Sequence, residues 1–291
     1  MFFKDTFFSK NRSLNCGGKL LDFSRPGVMG ILNVTPDSFY DGGKYNSADE
    51  ILKKVTDMIH EGADIIDVGG ISTRPGSEPV SEKEEINRII PAIHLIREHF
   101  PDTIISVDTY RAIIARTVVK DYSVEIINDI SGGDLDKGMF ETIADLGIPY
   151  IFMHMKGSPL NMQTQTVYKD ILAEMLDYFA IKIEQLRSLG IYDIAIDPGF
   201  GFSKTTEQNF YLLNRLNAFR VFELPVMAGI SRKSMIYKTL KTDPSGSLNG
   251  TTVLNTIAIL KGADIIRVHD VKEAVQVITL LEKMNPLKIS D

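Results

Sequence analysis

The chain has 291 residues, 44% hydrophobic and 24% charged, with a formal net charge of −6; this balance fits a soluble globular fold and argues against nucleic acid or an anionic membrane as the main partner. A single cysteine, Cys16, excludes an intramolecular disulfide and points to a reducing, cytoplasmic compartment. Lys4, Asp5, Lys10 and Arg12 interrupt the paired phenylalanines Phe2–Phe3 and Phe7–Phe8, so no apolar signal segment forms, and no later stretch is long enough to span a bilayer.

Residues 1–26 carry a Gly17-Gly18 turn between short apolar pieces and no helical period, which predicts a hairpin extension ahead of a main domain over residues 27–285. From Val28 onward one pattern recurs: an apolar run, a polar residue at its C-terminal end, a Gly- or Ser-bearing loop, then an amphipathic helix. The predicted strands are Val28–Leu32, Asp64–Val68, Thr103–Val107, Glu125–Ile127, Tyr150–Met153, Ile194–Ile196, Pro225–Ala228 and Asp264–Val268. Between them Ser47–Glu50 and Ser81–Glu84 spell capping boxes at helix starts, and Gly62, Gly147, Gly190 and Gly262 stand where helices should end in a left-handed cap. The phrase Gly-Ala-Asp-Ile-Ile occurs at both 62–66 and 262–266, the same junction used twice.

Eight such units predict a (β/α)8 TIM barrel, usually about 250 residues, with a doubly wound open sheet as the competitor. The distribution of polar residues favours the barrel. Asn33, Asp67, Asp108, Asn128, His154, Asp197, Ser231–Lys233 and Arg267–His269 all fall at or just after the C-terminal ends of predicted strands. In a closed barrel those ends converge on one mouth, whereas in an open sheet only those near a switch point do.

Three groups of residues carry chemistry. The first strand runs into a Gly- and Asp-rich stretch ending at Gly43, either a ligand loop or a plain strand-to-helix connection. Asp108, Asn128 and Asp197 can read the polar edge of a flat nitrogen heterocycle, with Met153 and Phe202 against its face. A local loop cap or Asx turn is the competing reading for Asp108 and Asn128, less so for Asp197, whose Gly199–Gly201 pair permits close approach of a ligand. The third group, Ser231-Arg232-Lys233 and Arg267-Val268-His269, follows the seventh and eighth strands, where barrels often hold phosphate; the alternative is a rim ion pair of Arg267 with Asp270. There is no zinc spelling, while Asn33 beside a diphosphate would suit Mg2+.

The segments Met29–Phe39, Ser72–Gly76, Asp197–Phe202, Ser231–Ser234 and Arg267–Asp270 together resemble the dihydropteroate synthases of folate biosynthesis, in order from about residue 27 to 280. The resemblance implies a (β/α)8 barrel that joins 4-aminobenzoate to a dihydropterin diphosphate and releases diphosphate. It implies that Asp108, Asn128, Met153, Asp197, Phe202, Gly229 and Lys233 hold the pterin. Asn33, Arg74, Arg267 and His269 would bind diphosphate or its Mg2+, and Phe39, Thr73, Pro75 and Ser231 the aminobenzoate. Asp108, Asp197, Lys233, Arg267 and His269 would carry the chemistry in a cytoplasmic homodimer of the kind sulfonamides target. One position departs from the family pattern: Ile71 stands where Glu is usual.

Chemistry and resemblance agree. An arylamine is neutral and nucleophilic at pH 7, so no strong base is needed, and charge must be neutralised on a departing diphosphate while positive charge is favoured on the pterin. The loops Val34–Lys44 and Ser72–Val80 should form the aminobenzoate pocket only once diphosphate is bound. A pterin-binding methyltransferase, which would not need the diphosphate grip, and a catalytically silent pterin-binding homologue are the competing functions.

Overall fold

The computed structural model describes residues 13–35, 46–71 and 80–284. Ten short strands follow in chain order, most of the barrel strands rich in Ile and Val: β1 (Ser13–Cys16), β2 (Lys19–Asp22), β3 (Gly27–Asn33), β4 (Ile65–Gly69), β5 (Ile104–Asp108), β6 (Ile126–Asp129), β7 (Tyr150–Met153), β8 (Ile194–Asp197), β9 (Met227–Ala228) and β10 (Ile265–Val268). Strands β1 and β2 pair antiparallel across the Gly17-Gly18 turn, the expected hairpin. The other eight are parallel, in the order β8-β7-β6-β5-β4-β3-β10-β9, and a parallel bridge between Ile196 and Val226 closes the ring. Sequential neighbours follow one another round the ring with no reversal, so the fold is the barrel and not the doubly wound sheet.

Nine helices surround the ring among the described residues: α1 (Asn46–His60), α2 (Glu82–His99), α3 (Ala112–Tyr122), α4 (Met139–Leu146), α5 (Ile171–Ser188), α6 (Thr206–Asn214), α7 (Ser234–Leu240), α8 (Leu248–Leu260) and α9 (Val271–Met284). Two of them, α7 and α8, follow β9. The four glycines expected to end helices all have positive φ, from +63° at Gly147 to +101° at Gly262. The capping boxes need correction. Helix α1 begins at Asn46, which puts Ser47 inside its first turn. Ser81 does cap α2 by accepting from the Glu84 amide at 3.2 Å, but the Glu84 carboxylate turns to Arg88 at 3.0 Å and does not reciprocate. A complete box forms at Thr205 and Gln208, where Thr205 Oγ1 accepts from the Gln208 amide and Gln208 Oε1 from the Thr205 amide.

Strand alternation divides the barrel interior into two layers. Met29, Ile65, Ile126, Ile151, Ala195, Met227 and Ile265 point inward and form one apolar cluster with Leu14, Cys16, Leu21 and Phe23 of the hairpin and the residue after it, so the hairpin seals the N-terminal end. Two residues further along, the same faces of six of these strands carry Asp67, Asn128, Met153, Asp197, Gly229 and Arg267. The pleat places the polar layer directly on the apolar one, at the open mouth. A second apolar cluster fills the space between strands and helices.

Candidate active site

Asp108, Asn128, Ile130, Met153, Asp197, Phe202, Gly229, Lys233 and Arg267 line one cleft at the C-terminal ends of the strands. All seven residues expected around a heterocycle are therefore together. Ile130, a lining residue that carries no motif in the sequence, stands in the turn directly after β6. It packs with Met153, Met155 and Met162, and Phe202 and Tyr110 lie against that cluster. A Cβ on Gly229 would sit 3.9 Å from Asp197 Oδ2 and 3.7 Å from Lys233 Nζ, so glycine leaves the floor between them open.

A buried acid network organises one wall. Arg267 donates from Nε to Asp67 Oδ2 at 2.7 Å and from Nη2 to Asp108 Oδ2 at 2.8 Å, and Asn128 Nδ2 donates to Asp67 Oδ2 at 3.1 Å. Asp67 is 0% exposed, and its Oδ1 has no hydrogen-bond partner among the described residues. Sequence reasoning placed Asp67 at a strand end but gave it no role; its pairing with a residue 200 positions away left no local signal. Burial pushes Asp108 up to about 7, against the lowering effect of Arg267. Burial also works against the Arg267 charge, but Asp67 and Asp108 outweigh it and raise the guanidinium above its usual range. The alternative readings for this wall fail. Asp108 and Asn128 serve this network in place of a local cap, and Asp270 pairs with Arg232, at 2.9 and 2.5 Å, instead of with Arg267.

The opposite wall is the turn after β8. Asp197 Oδ1 accepts from the Gly199 amide at 2.7 Å, so the acid least expected to make an Asx-type contact is the one that makes it. Gly199 has φ +71°, and a Cβ there would lie 2.3 Å from the His154 carbonyl oxygen, so no other residue fits. Burial raises the Asp197 carboxyl, opposed by the Lys233 charge. Lys233 Nζ donates to Phe200 O at 2.5 Å and lies 4.6 Å from the centre of the Phe202 ring; burial pulls it down to about 8, against the attraction of Asp197.

Ser231 and His269 meet at the rim, where Ser231 Oγ lies 3.2 Å from His269 Nδ1 and accepts from the His269 amide at 3.2 Å. The geometry thus joins a residue of the expected aminobenzoate set to one of the diphosphate set. Burial, then the charges of Arg267 and Lys54, lower His269 to about 4, so the imidazole is neutral at pH 7. Asn33 ends β3 beside Gly69, its Oδ1 3.5 Å from where a Gly69 Cβ would stand. Phe39, Thr73, Arg74 and Pro75 lie outside the described residues, as do most of the two loops that carry them. Ile71 is half-buried at the edge of one of these loops. His154, expected at the mouth, is buried and turned to Lys204, 3.1 Å from its Nδ1. Among the described residues no group of three His, Cys, Asp or Glu is placed to hold a metal, and no helix is long and apolar enough to cross a membrane.

This arrangement has relatives. The pterin binding enzyme family matches residues 29–269. A dihydropteroate synthase of Escherichia coli K12 is 46% identical over 267 residues, covering 91% of this chain and 94% of the relative. One from Synechocystis is 43% identical over 268 residues, with 91% and 92% covered. Among solved structures, a Yersinia pestis dihydropteroate synthase in a sulfonamide drug complex superposes with a TM-score of 0.88 at 42% identity, covering 94% of this chain and 100% of that one. A Xanthomonas albilineans dihydropteroate synthase with 4-aminobenzoic acid gives 0.88 at 35% identity, covering 96% and 100%.

Proposed function

The chain belongs to the pterin binding enzyme family and has the dihydropteroate synthase activity of its relatives, a transferase reaction; from that premise we propose how its barrel mouth carries out the reaction. The observation that supports the assignment is the single cleft that gathers Asp108, Asn128, Asp197 and Lys233 around an apolar slot, with Arg267 on its wall and His269 at the rim.

The dihydropterin lies in the slot. Asp197 and Asn128 meet the donors and acceptors of its edge, while Met153, Ile130 and Phe202 pack on its faces and Gly229 leaves room for it. Lys233 lies at the Asp197 end of the ring. Arg267 stands between the two halves of the site. Nε and Nη2 are engaged by Asp67 and Asp108, which leaves Nη1 to face the diphosphate with His269, Asn33 and Arg74. The arylamine nitrogen of 4-aminobenzoate, held by Ser231, Phe39, Thr73 and Pro75, attacks the pterin methylene carbon as the C–O bond to diphosphate breaks, and its surplus proton leaves to solvent. The buried carboxylates of Asp197 and Asp108 favour positive charge on the pterin as the leaving group departs, which makes the substitution dissociative in character.

Magnesium fits this site on the chemistry of its donors. The amide oxygen of Asn33 is a hard ligand, and the ion is commonly held by few protein groups, with substrate phosphate and water completing its shell. When bound, the ion would neutralise charge on the departing diphosphate.

The catalytic unit is residues 27–285, with 1–26 as an extension. A homodimer is supported by α7 and α8, which leave Leu240, Leu248, Val253 and Leu260 exposed on the surface. A cytoplasmic setting fits Cys16 as a buried thiol, pushed up to about 12 chiefly by burial. The test is diphosphate release from the dihydropterin diphosphate, with and without Mg2+. Release that requires 4-aminobenzoate is expected; release indifferent to 4-aminobenzoate, or none, overturns the reading.

A further inference from the structure

Lys204 closes the turn after β8, and its side chain is buried, 5% exposed, where the reaction above calls for no cation. Its Nζ lies 2.9 Å from Phe202 O, 3.1 Å from Gly199 O and 3.3 Å from His154 O, and 3.1 Å from His154 Nδ1. Four acceptors thus share three N–H groups. The ring nitrogen is able to accept because burial, with the charges of Lys204 and Lys156, holds His154 well below its usual range and keeps the ring neutral. Tyr178 stands edge-on to that ring at 4.9 Å and Tyr168 lies at 6.1 Å, while Asp197, Lys233 and Lys156 are the charges that act on the ammonium.

Each carbonyl in this set is one step from the ligand slot. Gly199 supplies the amide that holds Asp197 Oδ1 at 2.7 Å, and its carbonyl also accepts from the Phe202 amide at 3.1 Å. Phe202 contributes its ring to the slot. His154 begins the loop after β7 directly beyond Met153, another slot residue. Backbone carbonyls in a buried turn need donors, but a neutral side chain or a water would serve. A lysine is an expensive choice: burial draws its pKa down to about 7, so the fold disfavours the charge it carries. A group retained against such a cost points to the site it supports.

We propose that Lys204 is a positioning residue of the pterin slot: by gathering the carbonyls of His154, Gly199 and Phe202 on one ammonium it locks the end of β7 to the turn after β8, and so sets Asp197 and Phe202 against the ligand. This rests on the pterin reading of the cleft. The diphosphate grip of Asn33, Arg267 and His269 lies on other elements, at the end of β3 and in and just after β10, and does not depend on Lys204.

The experiment is calorimetric titration of the full-length protein with a free pterin and, separately, with inorganic diphosphate. Lys204→Met removes the donors at nearly constant shape and is expected to weaken pterin roughly tenfold or more while leaving diphosphate within about twofold. Lys204→Arg, which keeps the charge and several donors, recovers part of the loss. In turnover, KM for the pterin substrate rises more than kcat falls. His154→Phe deletes one of the four acceptors among aromatic neighbours that can take a phenyl ring; a loss of about threefold confined to pterin is expected, and this variant decides the matter if Lys204→Met does not fold. Unchanged pterin affinity, or equal losses for pterin and diphosphate, overturns the proposal. Asp197→Asn in parallel separates the two readings. If it leaves pterin binding intact, the slot assignment itself fails; if it weakens pterin while Lys204→Met does not, only the positioning role fails.

Discussion

Arg267→Met keeps much of the side-chain volume and removes the guanidinium that holds Asp67 and Asp108 at 2.7 and 2.8 Å. The side chain of Asp67 is 0% exposed and that of Asp108 13%, so water is a poor substitute for the lost partner. Breaking a buried pair from one side costs about 3–5 kcal/mol. A unit charge about 4 Å away is worth about 4 kcal/mol at an effective dielectric constant near 20, which is enough to move a carboxyl strongly. Asp108 already stands at about 7, where burial exceeds the pull of Arg267; without the arginine it moves higher and is protonated at neutral pH. The sign of the pH effect follows. A carboxyl whose folded pKa lies above its unfolded value makes stability fall as pH rises between the two. In the wild type that fall ends near pH 7, the value of Asp108, and in the variant it continues. The deficit of the variant should therefore be level below about pH 7 and grow by about 1.4 kcal/mol per pH unit above it, or about 2 kcal/mol by pH 8.5. Urea unfolding of both proteins from pH 6 to 8.5 measures this. A deficit equal at both ends of the range, or one that shrinks toward high pH, would refute the account of the acid network.

Asp197→Asn places a donor where the ring needs an acceptor and should weaken free pterin by about 2–3 kcal/mol in calorimetry; unchanged affinity would remove Asp197 from the pterin edge. His269→Ala should impair the diphosphate substrate far more than free pterin, and equal losses would mean that the anion lies elsewhere. The same histidine, held at about 4 in the empty protein, should rise beside an anion, so diphosphate binding near pH 6 should take up protons and tighten as pH falls; titration in two buffers of different ionisation enthalpy reads the uptake. Gly199→Ala meets both the φ of +71° and the His154 carbonyl at 2.3 Å, and a loss of about 2–5 kcal/mol in unfolding free energy is expected, against a near-neutral effect if the turn were slack. Aminobenzoate should bind the free enzyme weakly and tightly once diphosphate is present, and a titration giving one affinity in both conditions would count against ordered binding.

The barrel was legible in the residues because its signals are local. Short branched runs, a polar residue at the end of each and glycine before the next strand are set within a few positions, and all eight predicted strands lie within a residue or two of those found. That the expected residues share one cleft was legible for the same reason, since each stands at a strand end or in the turn beyond it and parallel closure alone brings those ends together. What was not legible is which side chain answers which. Arg267 could have taken Asp270, three residues on, yet the strand turns it inward to Asp67 and Asp108 while Arg232 takes Asp270. Asp67 and Lys204 carried no motif of their own, because a buried charge is explained only by its partners, and the deciding ones, Arg267 for Asp67 and His154 for Lys204, lie on another strand and another loop. Covalent neighbours and periodicity settle where a side chain is carried, but pairing in a low-dielectric interior is settled by distance in space, and that distance exists only after the ring has closed.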